Sequence, residues 1–350
     1  MEQNVIQLIE KHITEIASRL TQLHFEKHPE LLERYGQIGK NHCYKDAIYN
    51  LEFLVEALKM DHPGMYGNYI LWAAAMLENR DISKSDLTNN LQNLRLVLSE
   101  KFDSEVTGIT DPFIDFALEK LAEKTTLNES YITEDNPYKN EANQYLQYLL
   151  EGQRIQAKNL IDELVKNGAD VKDIYQHIFQ PSQYEVGRLW QCNKITVAHE
   201  HYCTAATQLI MSGLYSYIFS ADRIGKTLVA CSISGDLHEL GIRMVTDFFE
   251  MDGWDTYYLG ASMPDRQLIE AIIEHNADVL AISVTLPTHV SKAAVLIKEL
   301  KKHPSLTNLK ILVGGYPFLN NPGLWEKINA DGCAENAEKA IELAKKLTGY

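Results

Sequence analysis

The chain has 350 residues, 45% hydrophobic and 23% charged, with a formal net charge of −15, which suits two or three ordinary globular domains. That acidity excludes direct nucleic-acid binding and docking on an anionic membrane, both of which need clustered Lys and Arg. No apolar run approaches the ~20 residues of a membrane span. The opening residues also lack a secretion signal, so a cytoplasmic location is expected. Cys43, Cys192, Cys203, Cys231 and Cys333 are scattered without C-x-x-C spacing, which argues against a disulfide framework or a zinc site.

Residues 1–124 read as helix throughout. Val5, Ile9, Ile13, Ile16 and Leu20 form one apolar stripe, Ala47, Leu51, Leu54, Val55 and Leu58 a second, and Leu87, Leu91, Leu94 and Leu98 a third. The expected domain is all-α, a globin-like fold or helical bundle of about six helices. Met60 to Gly67 reads as a Pro/Gly loop. Asp111-Pro112 reads as an N-cap with proline at the first position of a helix through Leu121. Residues 125–137 are polar and aperiodic and read as a linker.

Residues 138–222 read as a second helical domain, a four-helix bundle with short connections. From 223 to 350 the pattern alternates. Strands are expected at 227–233, 254–259, 278–284, 309–313 and 332–334, and helices at 239–250, 265–275, 288–302, 322–329 and 336–347. Strand–helix alternation over this length predicts a doubly wound, parallel five-stranded α/β sheet.

Chemistry-bearing residues gather at the expected carboxyl ends of those strands, where open α/β sheets bind ligands. After the first strand comes Asp236-Leu-His238-Glu-Leu-Gly241; Ser283-Val-Thr285-Leu ends the third, Gly314-Gly315 the fourth, and Ala330 to Glu335 surrounds the fifth. A neutral imidazole is a good transition-metal ligand, and a carboxylate two residues away can hold its other nitrogen. The Asp-x-His-x-x-Gly pattern with these companions resembles the signature of cobalamin-binding domains. The resemblance implies that His238 is the lower axial ligand of cobalt and that Asp236, His238 and Ser283 form a relay beneath it. It also implies that Gly241, Gly314 and Gly315 border the cofactor, the last two lining the slot for its benzimidazole tail. Thr285 stands where that family usually has Leu. The rival reading is a generic flavodoxin-like sheet with His238 idle in a loop.

Upstream, Trp190 is followed by nine residues and then Glu200-His201. This spacing resembles that of CarH-type photoreceptors, which implies adenosylcobalamin with Trp190, Glu200 and His201 around its adenosyl group. The rival reading makes Trp190 a core anchor and Glu200-His201 a solvated helix face. Gln191 replaces the histidine that caps cobalt after photolysis in that family, with His199 as a candidate substitute. The chain also lacks that family's basic helix-turn-helix. Its N-terminal helical domain looks like that of photocobilins, which implies biliverdin as a second chromophore near His62, Tyr66 and Trp72, with Cys43 a candidate attachment point. The ordinary reading of those residues is surface histidine and core aromatic.

The leading expectation is therefore an adenosylcobalamin-dependent light sensor, not itself an enzyme, homo-oligomeric and signalling to an unidentified protein partner. The runner-up is a corrinoid methyl-carrier subunit of a methyltransferase system. A cobalamin mutase is disfavoured because no substrate barrel is present, and a sensor of cobalamin abundance is a fourth reading.

Overall fold

The computed structural model describes residues 2–123, 129–219 and 221–350. The chain divides into two compact units: Met1–Leu127 with Leu286–Ser291 and Asn320–Leu324, and Asn128–Thr285 with Lys292–Leu319 and Trp325–Tyr350.

The first unit is helical. It contains α1 (Glu2–Lys11), α2 (Ile13–Lys27), α3 (Glu30–Lys59), α4 (Pro63–Glu78), α5 (Lys84–Lys101) and α6 (Ser104–Ala122). The stripes seen in the sequence form its core: Ile9, Ile16, Leu20, Leu51, Leu54, Leu91, Leu94 and Leu98 are fully enclosed. α3 kinks at Gly36, whose φ of 62° glycine adopts without steric cost. Two later segments of the chain are held in this unit. The Ser291 N–H and hydroxyl both donate to the buried Glu56 carboxylate, at 2.5 and 2.9 Å. Asn68 donates to the Asn320 carbonyl at 3.0 Å.

Three local readings of the sequence are corrected. The loop at Met60–Gly67 shrinks to residues 60–62, because Pro63 opens α4 at a position that needs no N–H. α6 starts at Asp103, not Asp111: the Asp103 carboxylate accepts from the Glu105 and Val106 amides, and Pro112 lies inside the helix. The expected linker is in part an anchored arm. Residues 124–128 lie outside the described residues. Beyond them Ile132 is buried, the Tyr131 N–H donates to Glu185 at 3.1 Å, and the Asn136 amide donates to the His177 carbonyl at 2.8 Å.

In the second unit, α7 (Lys139–Leu150) and α8 (Arg154–Lys166) are followed by α9 (Val171–Ile174). α9 runs through a π-turn (Tyr175–Phe179) into α10 (Gln180–Gln191); α11 (Val197–Ser212) and the short α12 (Tyr215–Ile218) complete the helical part. Then come β1 (Thr227–Ser232), α13 (Leu240–Met251), β2 (Asp255–Tyr258), α14 (Asp265–Glu274), β3 (Val279–Ser283) and α15 (Val290–Leu300). β4 (Lys310–Gly314), α16 (Tyr316–Asn320), α17 (Leu324–Lys327), β5 (Gly332–Cys333) and α18 (Ala337–Thr348) follow. The sheet is five-stranded and parallel, in the order β2-β1-β3-β4-β5. Its inner strands are almost continuously apolar, as a sheet covered on both faces requires.

Register brings the motifs together. Ser232 of β1 pairs with Ser283 of β3, and Ser283 with Gly314 of β4, so the three stand in one row at the carboxyl edge. The strand order reverses at β1, with β2 on one side and β3 on the other. The loops after β1 and β3 flank the crevice that such a reversal opens.

Candidate functional site

The loop after β1 is built around one buried carboxylate. Gly235, at φ 88°, makes the turn that a side chain would strain. Asp236 follows, with no exposed surface. An enclosed charge must be satisfied, and Asp236 accepts three hydrogen bonds. They come from the Thr285 N–H (2.6 Å), the His238 N–H (3.0 Å) and the His238 Nδ1 (2.8 Å). The loop is braced as well. The Ser262 hydroxyl accepts from the Gly235 N–H, the Ser262 N–H donates to the Asp236 carbonyl, and the Ser232 hydroxyl donates to the His238 carbonyl.

Burial alone would raise the Asp236 carboxyl, but the bonds from His238 and the Thr285 amide outweigh it and hold it below its ordinary value. Its partner moves the other way: the Asp236 hydrogen bond raises His238 above the ordinary imidazole value, against desolvation and with a further push from the Glu200 carboxylate. The ring donates Nδ1–H to Asp236, which leaves the lone pair on Nε2. The His238 side chain is 56% exposed while its carboxylate partner is enclosed. Asp236 and His238 thus present a metal-ligating nitrogen whose orientation is fixed from behind.

The glycines divide into two kinds. A Cβ at Gly315 would sit 2.0 Å from the Val284 carbonyl oxygen, and the residue has φ 107°, so the fold itself demands glycine there. Its missing side chain makes room for the backbone of Val284, just beyond β3. A Cβ at Gly314 would meet only the Ala334 carbonyl oxygen at 3.7 Å, and one at Gly241 would meet nothing within 4 Å. No protein atom requires glycine at either position. Thr285 enters through its backbone, as a donor to Asp236.

Trp190 and Glu200 are half-buried, at the end of α10 and in the first turn of α11. The Glu200 carboxylate contacts the Thr204 hydroxyl and the ring of its neighbour His201. The His201 side chain is 76% exposed. His199 Nδ1 accepts from Thr196 and closes a capping box at the start of α11. Gln191 is buried.

The expected chromophore residues of the first unit sort differently. Tyr66 is fully enclosed, with its hydroxyl bonded to Asn50, and Tyr69 stacks on Phe53 at 3.7 Å. Tyr66 is thus a core aromatic and faces no ligand space; His62 precedes α4 and Trp72 is half-buried within it. Burial pushes the Cys43 thiol up to about 11, which keeps it a poor nucleophile for attaching a chromophore.

Sequence reasoning missed the polar seam between α13 and the cap. The Tyr175 hydroxyl donates to Asp247 at 2.8 Å. The buried Arg243 donates to the Gln208 carbonyl, the Ser212 hydroxyl and the Tyr215 hydroxyl. Gln208 reaches Glu239 at 2.8 Å, and Glu239 also accepts from Tyr258. Tyr175 and Asp247 are 72 positions apart, and no local pattern announces such a pair.

Comparison with known proteins completes the picture. One model, described as a B12 binding domain, matches residues 226–344, and a second of the same description matches 141–215. Dimethylamine corrinoid protein 1 of Methanosarcina acetivorans is 27% identical over 188 residues, covering 53% of this chain and 87% of that protein. A corrinoid protein of Desulfitobacterium hafniense is 32% identical over 123 residues, 35% of this chain and 56% of its own length. The solved monomethylamine corrinoid protein of Methanosarcina barkeri superposes with a TM-score of 0.53 at 20% identity, over 61% of this chain and 99% of that one, a likeness of fold.

These relatives overturn the light-sensor expectation and favour the runner-up. Trp190 lies at the end of one helix and Glu200 in the first turn of the next, across a short connection. No helix among the described residues is long and apolar enough to cross a membrane. From residue 141 to residue 344, this chain carries cobalamin-binding domains: a helical one followed by a five-stranded parallel α/β domain.

Proposed function

We propose that the chain is a corrinoid carrier subunit: it holds a cobalt corrinoid between the α7–α12 cap and the sheet and conveys a methyl group between partner proteins of a methyltransferase system. The observation that carries this reading is the Asp236–His238 pair at the sheet's reversal point, in a chain whose relatives are named dimethylamine corrinoid proteins. The residues fit the cofactor. Nε2 of His238 is a suitable cobalt donor, and the open space at Gly241 beside the loop leaves room for a large planar group.

Bound there, the corrinoid supplies a metal centre that accepts and releases an alkyl group. The protein's own part is positioning. Asp236 holds the Nδ1 proton, fixes the ring and strengthens Nε2 as a donor. The buried charge of Asp236 is in turn fixed by the Thr285 amide, so the ligand is set before any cofactor arrives. On the opposite side the cap excludes water, and a partner must move it to reach the carried group. The cap and α13 also share a dry core, with Tyr175 packed on the Phe248 ring, and the bonds Tyr175–Asp247, Arg243–Gln208 and Gln208–Glu239 fix their mutual orientation.

The test is retention and delivery. The full chain, loaded in darkness with methylcobalamin, is passed through gel filtration and then mixed with a methylamine-system methyltransferase and a thiol acceptor. The reading expects retained methylcobalamin and loss of its methyl group to the thiol, with no change of oligomeric state on illumination. Exclusive retention of adenosylcobalamin, without methyl transfer, would overturn it.

A further inference from the structure

Glu56 is a carboxylate that the proposed function leaves unused, and its place calls for a reason. It lies in the last turn of α3, where the helix dipole disfavours an anion, and its side chain is only 4% exposed. An enclosed charge needs donors. The Lys59 ammonium stands 3.8 Å away and pairs more closely with Glu10, at 2.6 Å. Ser291 does more: its N–H and its hydroxyl both donate to the Glu56 carboxylate. Ser291 is in the first turn of α15, where a helix has amides without partners of its own. Glu56 thus caps α15 from a position 235 residues earlier in the chain.

Both residues belong to the first unit, and the segment held there, Leu286–Ser291, begins one residue after Thr285. The Thr285 amide is the one that donates to Asp236, at 2.6 Å. The connection between these two ends is short and stiff. Pro287 opens a single 3₁₀ turn (Pro287–His289), the His289 N–H donates to the Leu286 carbonyl at 2.9 Å, and Val290 is fully buried. Just past Ser291, the Lys292 ammonium reaches the Ser234 carbonyl at 3.4 Å, in the loop that carries Asp236 and His238. Displacing Ser291 therefore pulls on two ties to that loop. The carrier reading gives the first unit no part: the cobalamin-binding matches cover residues 141–215 and 226–344, and α1 to α6 all precede them.

We propose that Glu56 is a positioning residue for the metal ligand: by holding Ser291 it fixes the β3–α15 connection and, through the Thr285 amide, the Asp236–His238 pair. The inference rests on the corrinoid reading above. It gives the helical unit a part in the carrier, that of setting how firmly the lower ligand is held.

The test begins with the cofactor-free full chain as wild type, Glu56→Ala, Glu56→Gln and Ser291→Ala. Amide hydrogen exchange is read at Thr285 and His238 and, for reference, at Val229 and Ala230 of β1. Losing hydrogen bonds to a buried charge speeds local opening about 10-fold, so Glu56→Ala raises exchange at Thr285 and His238 by that factor. Val229 and Ala230 keep their wild-type rates. Glu56→Gln and Ser291→Ala each keep part of the contact and fall between. The same proteins are then loaded with cob(II)alamin and examined by electron paramagnetic resonance with ¹⁵N-histidine. A group that directly holds a metal ligand contributes about 10- to 100-fold in affinity; one step further back, Glu56→Ala weakens binding about 3- to 10-fold and lowers the share of histidine-bound cobalt.

A merely structural cap would lower the melting temperature but leave exchange at Thr285 and the cobalt signal as in wild type, which overturns the inference. Faster exchange that is equal at Val229 and Ala230 overturns it too. If Glu56→Ala does not fold, Ser291→Ala decides by the same criteria. A wild-type chain that retains no cobalamin overturns the corrinoid reading, while exchange at Thr285 still shows whether Glu56 holds the Asp236 loop.

Discussion

The loop after β1 and the hairpin between α10 and α11 are built to different standards. Below, Asp236 is fully enclosed and takes three hydrogen bonds, and Ser232 and Ser262 brace the loop around it. In the hairpin, Glu200 leans on its own helix and His201 stands in solvent. The loop is fixed by its own hydrogen bonds, whereas the hairpin presents exposed and half-buried side chains. A carrier needs that asymmetry. The metal must be held in one geometry, while the exchanging group must enter and leave on the other side.

The largest effect that can break this comparison lies in adjacent glycines. Gly315→Ala drives a methyl group into the Val284 backbone and should cost about 4 kcal/mol or more of stability, or abolish folding, by denaturant titration. Gly314→Ala should stay within about 1 kcal/mol of wild type, because its new methyl meets only an ordinary contact, and should weaken cobalamin binding instead. Equal destabilisation by both would erase the distinction between fold-demanded and ligand-reserved glycine.

Next in size is the seam. Burial raises the Asp247 carboxyl to about 6 despite the Tyr175 hydrogen bond and the nearby Arg243. The folded chain thus holds this proton more tightly than the unfolded one. The group stabilises the fold below about pH 4 and loses that contribution as the pH rises through about 6, up to about 3 kcal/mol. Asp247→Asn should remove this slope, so that the variant gains on wild type between pH 4 and 7 in paired unfolding curves. A constant difference across that range would contradict it.

Smaller changes probe the two halves directly. Asp236→Asn keeps the shape of the side chain but removes the charge behind His238, and should weaken cobalamin binding about 10- to 100-fold. His199→Ala should cost about 1 kcal/mol of stability by opening the capping box, while leaving cobalamin affinity unchanged. Loss of the cofactor in that variant would return His199 to the metal site.

Much of this was legible in the chain. The sheet announced itself through apolar runs ending in Ser, Gly and Asp, and register then placed Ser232, Ser283 and Gly314 in one row. The lower ligand was legible because Asp236 and His238 are two residues apart and their bond is local. What escaped was tertiary. Nothing near Gly315 reveals that Val284 passes against it, and Tyr175 meets Asp247 only once the cap lies on α13. α6 was misread because the buried Thr110 hides the apolar stripe from Val106 to Leu121, and Pro112 looks like a start. The arm at Ile132 was misread because one apolar residue among polar ones leaves no period to detect. The function was misread because one shared spacing was given more weight than the cobalamin-binding domains themselves, whose relatives are named corrinoid proteins.

The central claim is that His238 Nε2 holds cobalt in this chain. It is tested most directly by electron paramagnetic resonance of the protein loaded with cob(II)alamin, prepared once with natural-abundance histidine and once with ¹⁵N-histidine. Ligation by His238 predicts that the nitrogen splitting changes from a triplet to a doublet on labelling, and that this response disappears in His238→Ala. A triplet that persists with labelled histidine would show that the cofactor keeps its own base, and would contradict the account.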